Sequence, residues 1–215
     1  MKNLLEIKVC GINDQVSMNT AIKCKVDYIG FVFYKNSPRN ISMNTSKKLM
    51  SARNNLSKIV ALTVDPDDEF LFDIKRVVRP DYIQLHGNES PGRCLDIRKK
   101  LNLPIIKGIN VKNKLNLIQL ISEYEDICDM LLLDAPSDVL PGGNGKNFNW
   151  NILKDLKLKR KWMLAGGLNI KNIKKAIEIT KAPVIDISSG LETKKGVKDP
   201  RLIEDFVFKC KNFYG

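Results

Sequence analysis

The 215-residue sequence has a single histidine, His86, and five cysteines, none of them in a Cys-x-x-Cys pair. Cys10, Cys24, Cys94, Cys128 and Cys210 are odd in number and widely scattered, which argues against a disulfide framework or a zinc site. One histidine also rules out a His-rich metal centre, so no metal is expected. No apolar run approaches the roughly 18 residues that a membrane span requires. The opening Met1–Lys8 interrupts its apolar residues with charge too often for a signal peptide, and a cytoplasmic protein without a membrane partner is expected. Acidic residues are in short supply, 24 against 36 lysines and arginines, for a net charge of +12. Such a charge attracts anions, nucleic acid among them. Yet no block of five or six basic residues occurs, nor a basic strip interleaved with aromatics, so solvated helix faces account for it better than a nucleic-acid partner.

Short runs rich in Val, Ile and Leu alternate with longer amphipathic stretches along the whole chain. Eight such runs are present: Glu6–Val9, Tyr28–Phe33, Ile59–Val64, Tyr82–Leu85, Ile105–Lys107, Met130–Asp134, Trp162–Ala165 and Val184–Ile187. Near-continuous apolarity marks strands buried on both faces. Ser42–Arg53, Asp67–Val78 and Asn169–Thr180 read as helices, the last with Ile170, Ile173, Ala176 and Ile177 on one stripe. Pro80, Pro104 and Pro183 each precede a strand, and Asn13 and Asn169 stand where helix N-caps belong. Eight strand–helix units in residues 1–215, with no linker, predict one (β/α)8 TIM barrel. An open doubly wound sheet is the alternative, but no Gly-x-Gly-x-x-Gly follows the first strand.

The chemistry-bearing residues fall at the C-terminal ends of those runs, where a barrel builds its active site. Strand 1 ends in Cys10-Gly11, strand 4 in His86-Gly87 and strand 6 in Asp134. Strand 7 ends in Gly166-Gly167, and strand 8 carries Asp186 and then Ser188-Ser189-Gly190. Small residues at the last two ends form either a phosphate cradle or a pair of tight turns. Cys10 reads as a small buried hydrophobe or as an exposed thiolate. Asp134, closing Met-Leu-Leu-Leu, suits a general acid kept protonated by burial, or else caps the following loop. Arg39, after Ser37-Pro38, has the fork that grips a carboxylate, or is a solvated loop charge. His86 either orients substrate or plays a structural part. The irregular stretch 135–149, with three glycines and two prolines, reads as a functional loop over the same mouth.

Taken in order, these segments resemble phosphoribosylanthranilate isomerases. The matching stretches are Lys8–Gly11, Gly30–Phe33 with Ser37–Arg39, Gln84–Gly87, Leu132–Asp134, Gly142–Phe148, Leu164–Leu168, Asp186–Gly190 with Glu192, and Gly196–Pro200. The resemblance implies an Amadori rearrangement of N-(5-phosphoribosyl)anthranilate without cofactor or metal, by a monomer or homodimer acting on a small phosphosugar. It further implies Asp134 as general acid and Cys10 as general base, with Arg39 on the anthranilate carboxylate. Gly166, Gly167, Ser188, Ser189 and Gly190 would hold the phosphate, Asp186 would touch a ribose hydroxyl, and His86 would contact substrate. Two departures stand out. Asn144 replaces an expected threonine in the glycine loop, and Cys24-Lys25-Val26-Asp27 lacks the small Ala-Gly-Ala run that ends the first helix. Competing expectations are a sister phosphosugar barrel, of which the histidine-pathway isomerase uses an aspartate where this chain has Cys10, and a basic nucleic-acid-binding protein.

Overall fold

Eight parallel strands close on themselves in sequence order, β1 (Glu6–Cys10) pairing with both β2 (Tyr28–Phe33) and β8 (Val184–Ile187). Between them run β3 (Lys58–Thr63), β4 (Tyr82–Leu85), β5 (Ile105–Asn110), β6 (Met130–Asp134) and β7 (Trp162–Leu164). This computed structural model describes residues 5–53, 55–135 and 149–214. Each predicted apolar run is a strand within three residues at either end.

Odd and even positions of each strand face opposite sides, and both sides are apolar. Outward residues such as Ile7, Ile29, Ile59 and Ile185 pack beneath the helices, while Tyr28, Val60, Ile106, Met130, Leu132, Met163 and Val184 fill the barrel interior. Prolines sit where the sheet needs an acceptor and no donor: the carbonyl of Pro183 accepts from Glu6 N (3.1 Å) and that of Pro104 from Ile83 N (3.1 Å).

The outer layer comprises α1 (Gln15–Lys23), α2 (Met43–Met50), α3 (Asp68–Val78), α4 (Pro91–Leu101), α5 (Lys114–Tyr124), α6 (Ile173–Thr180) and α7 (Pro200–Tyr214). Between β6 and β7 the described residues form only a 3₁₀ turn, Trp150–Leu153. Two capping expectations are corrected. Asp14, not Asn13, caps α1 by accepting from Ser17 N (2.9 Å), and Asn13 instead donates to the Gly196 carbonyl (3.1 Å). Asn169 caps a preceding turn through Lys171 N (2.9 Å), so α6 starts at Ile173, three residues after the start of the apolar stripe at Ile170. Beyond α1, Lys25 takes the left-handed conformation (φ 53°) that a glycine would adopt without strain.

Exposed lysines pair locally with carboxylates, as Lys23 does with Glu204 (3.1 Å) and Lys100 with Asp68 (2.7 Å) and Asp96 (2.9 Å), in keeping with solvated helix faces. Among the described residues no helix is long and apolar enough to cross a membrane, and no group of three or more His, Cys, Asp or Glu is arranged to hold a metal.

Candidate active site

At the C-terminal mouth of the barrel lies a cavity of about 620 Å³, its open end included. Cys10, Arg39, His86, Asp134, Gly166, Gly167, Asp186, Ser188 and Ser189 all line it. Of the ten residues singled out in the sequence only Gly190 stands back, within the short turn Ser189–Leu191 behind the rim. The stretch Gly142–Phe148, including Asn144, lies outside the described residues.

Cys10 ends β1 on its inward face, two residues after Lys8, whose side chain is wholly buried. Lys8 Nζ donates to Asp186 Oδ1 at 2.9 Å across the β1–β8 pairing. Burial alone would lower the pKa of this lysine, but attraction to Asp186 and Cys10 outweighs it and raises the pKa. Burial pushes the Cys10 thiol up; the charges of Lys8 and Lys198 oppose the rise without cancelling it, and Asp186 adds to it. Its carbonyl accepts from the Ser188 hydroxyl (3.0 Å), which ties the end of β1 to the loop after β8.

Asp134 closes β6, with one carboxylate oxygen on its neighbour's backbone: Oδ1 accepts from Ala135 N at 2.8 Å. Its Oδ2 lies 3.4 Å from His86 Nε2. The β4 end that carries His86 is pinned by a buried ion pair. Lys107 Nζ reaches both Glu89 Oε2 and the Gly87 carbonyl at 2.7 Å, while Glu89 Oε1 accepts from Asp65 N (2.9 Å).

Across the mouth, Arg39 lies against Glu192 in a bidentate fork, Nε to Oε1 at 2.7 Å and Nη2 to Oε2 at 2.9 Å. Lys198, also buried, donates to the same Oε1 at 2.6 Å. Although burial raises the Glu192 carboxyl, its bonds to Arg39 and Lys198 more than compensate and hold its pKa at about 2. Lys198 itself is lowered by burial, which Glu192 offsets in part. Glu192 and Lys198 flank a small hairpin, β9 (Glu192–Lys194) with β10 (Val197–Lys198), packed beside Pro38.

On the far rim Gly166 (φ 90°) and Gly167 (φ 61°) bring backbone into the cavity. A Cβ on Gly166 would stand 2.6 Å from Ala135 N and 3.0 Å from Asp134 Oδ1, so this turn needs glycine. Backbone of small residues at the cavity wall, with Ser188 and Ser189 lining the same cavity, is the kind of rim that suits a phosphate. Sequence reasoning gave Lys8, Glu192, Lys198 and Gln84 no role. The even spacing of Lys8 with Cys10, and of Gln84 with His86, is the signal that puts Lys8 and Gln84 on the inward face of their strands.

Residues 7–209 match the family model described as N-(5'phosphoribosyl)anthranilate (PRA) isomerase. The chain belongs to that family. The N-(5'-phosphoribosyl)anthranilate isomerase of Rhodopseudomonas palustris is 39% identical over 206 residues, covering 94% of both chains. That of Brucella canis is 42% identical over 205 residues, 94% of this chain and 92% of the relative. Among solved structures, the isomerase of Thermotoga maritima superposes with a TM-score of 0.88 at 27% identity, covering 97% of this chain and all of that one. Another isomerase structure, solved with reduced 1-(o-carboxyphenylamino)-1-deoxyribulose 5-phosphate, superposes at a TM-score of 0.84 with 27% identity and covers the same shares.

Proposed function

We propose that the chain isomerises N-(5-phosphoribosyl)anthranilate to 1-(2-carboxyphenylamino)-1-deoxyribulose 5-phosphate, a step of tryptophan biosynthesis, with Asp134 as general acid and Cys10 as general base. What carries this reading is that Cys10 and Asp134, three strands apart around a closed ring, line one cavity with a glycine-built rim.

Asp134 Oδ2 gives a proton to the furanose ring oxygen. The C1–O bond breaks, and the anilino nitrogen lone pair forms C1=N. The Cys10 thiolate then removes the C2 proton, and the released electron pair makes an enolamine. Loss of the C2 hydroxyl proton and protonation at C1 give the ketone, and Asp134 recovers a proton from the thiol by way of solvent. C2 is oxidised and C1 reduced within one molecule, so the reaction needs no external redox partner. The step requires one protonated and one deprotonated group on opposite sides of the sugar, which two differently surrounded side chains supply.

The phosphate belongs on the backbone of Gly166, Gly167, Ser188, Ser189 and Gly190, with Gly190 acting from behind the rim. The Ser188 hydroxyl already serves the Cys10 carbonyl, so its backbone is the part available to an anion. Arg39, whose fork Glu192 orients at the cavity edge, is assigned the anthranilate carboxylate. Asp186 receives a ribose hydroxyl beside Lys8, and His86 borders the reacting carbons. All these residues come from one chain, so a monomer suffices and a homodimer would carry two such sites. Five free thiols accord with a reducing, cytoplasmic setting.

Substrate made in place from anthranilate, phosphoribosyl pyrophosphate and a separate transferase tests the reading. Its fluorescence should decay rapidly on adding the protein, with the carboxyphenylamino ketose phosphate as product. Decay at the spontaneous rate with folded protein would overturn it.

A further inference from the structure

The geometry points to Gln84 and His86 as a positioning pair that aims an imidazole N–H at Oδ2 of Asp134. Gln84 and His86 are neighbours on the inward face of β4, and both are buried with Asp134. Gln84 Nε2 lies 3.0 Å from His86 Nδ1, and His86 Nε2 lies 3.4 Å from Asp134 Oδ2. An amide N–H donating to Nδ1 fixes the neutral ring as the Nε2–H tautomer.

The ring's seat is built for it. On the adjacent strand β5 the residue beneath it is Gly108, where a Cβ would come 3.0 Å from His86 Cε1 and 3.1 Å from Cγ, and closer still to Nδ1. Lys107 and Glu89 hold the loop just beyond. The imidazole therefore has little room to turn away from Asp134.

The chemistry of the acid requires this tautomer. Oδ1 of Asp134 accepts from Ala135 N, which leaves Oδ2 as the oxygen that carries the acidic proton. A ring with a bare Nε2 would take that proton for itself and, once the proton had gone to substrate, would face the carboxylate lone pair to lone pair. An Nε2–H suits both states: it leaves the proton of Oδ2 directed into the cavity and stabilises the charge left after transfer. A donor aimed where charge develops is worth more in the transition state than in the ground state. The inference rests on Asp134 being the acid of the proposed reaction.

Because the chain has one histidine, its two ring nitrogens give the only imidazole signals in a 15N-labelled sample. Long-range 1H–15N correlation at neutral pH should find Nε2 protonated and Nδ1 bare, and Gln84→Met should admit the other tautomer. In kinetics, His86→Leu should lower kcat about 30-fold with KM within about threefold, the scale of one lost charge-assisted bond. His86→Gln, whose amide N–H falls near the position of Nε2, should regain most of that loss. A proton on Nδ1 in the wild type, or equal kcat for the Leu and Gln variants, would overturn the inference. If the wild type shows the predicted tautomer but no turnover, the isomerase reading fails and the catalytic role with it, while the hydrogen-bond assignment stands.

Discussion

Arg39 and Glu192, 153 residues apart in the chain, meet along two nearly parallel hydrogen bonds of 2.7 and 2.9 Å at the edge of the cavity. The guanidinium is thus oriented before any ligand arrives, in a geometry that a lysine cannot reproduce.

Glu192→Gln should therefore raise KM for the anthranilate-bearing substrate about tenfold, corresponding to ~1.4 kcal/mol, while kcat changes less. Steady-state kinetics read this directly. A fall in kcat with KM unchanged would place Glu192 in the chemistry instead of in binding.

The same carboxylate makes stability depend on acid. Its pKa is about 2 in the folded protein against an ordinary 4.5, so the folded state binds fewer protons between those values. Its contribution is present in full above about pH 4.5 and is lost as pH falls toward 2. Urea unfolding at stepped pH should show a shallower loss over that window in Glu192→Gln than in the wild type, and equal slopes would count against the coupling.

Lys8 and Asp186 form a buried pair, and removal of one partner strands the other's charge. Lys8→Met should cost about 3–5 kcal/mol, and Lys8→Met with Asp186→Leu should cost less than the two single losses added together. Removing Lys8 also removes a charge that opposes the upward shift of the Cys10 thiol. The alkaline rise of kcat/KM should then move to higher pH in Lys8→Met. A limb that stays in place would separate Lys8 from the function of Cys10.

Lys25 is exposed, and its left-handed backbone is a local cost with no bearing on the cavity. Lys25→Gly should stabilise the fold by about 1 kcal/mol without altering kcat, as thermal or urea unfolding would report.

The barrel was legible because its strands are buried on both faces and so read as unbroken apolar runs, and because the active mouth collects strand ends. At α1 the cap was legible to within a residue, because Asp14 and Asn13 are chemically alike and local backbone angles decide which one reaches Ser17 N. What composition hid was pairing. A lysine in a strand reads as a solvated charge, and only ring closure sets Lys8 opposite Asp186, or the hairpin's Glu192 and Lys198 beside Arg39. No spacing rule links residues 8 and 186. Nor does the bareness of Gly108 acquire meaning until His86 is laid over it.

The acid–base pair is tested most directly by comparing wild type, Cys10→Ser and Asp134→Asn on substrate generated in place, each variant first checked for a native unfolding transition. Fast fluorescence decay with the wild type and a loss of about 10³-fold or more in kcat for either variant is the predicted result. A folded Cys10→Ser or Asp134→Asn protein that turns over within tenfold of the wild type would contradict the assignment.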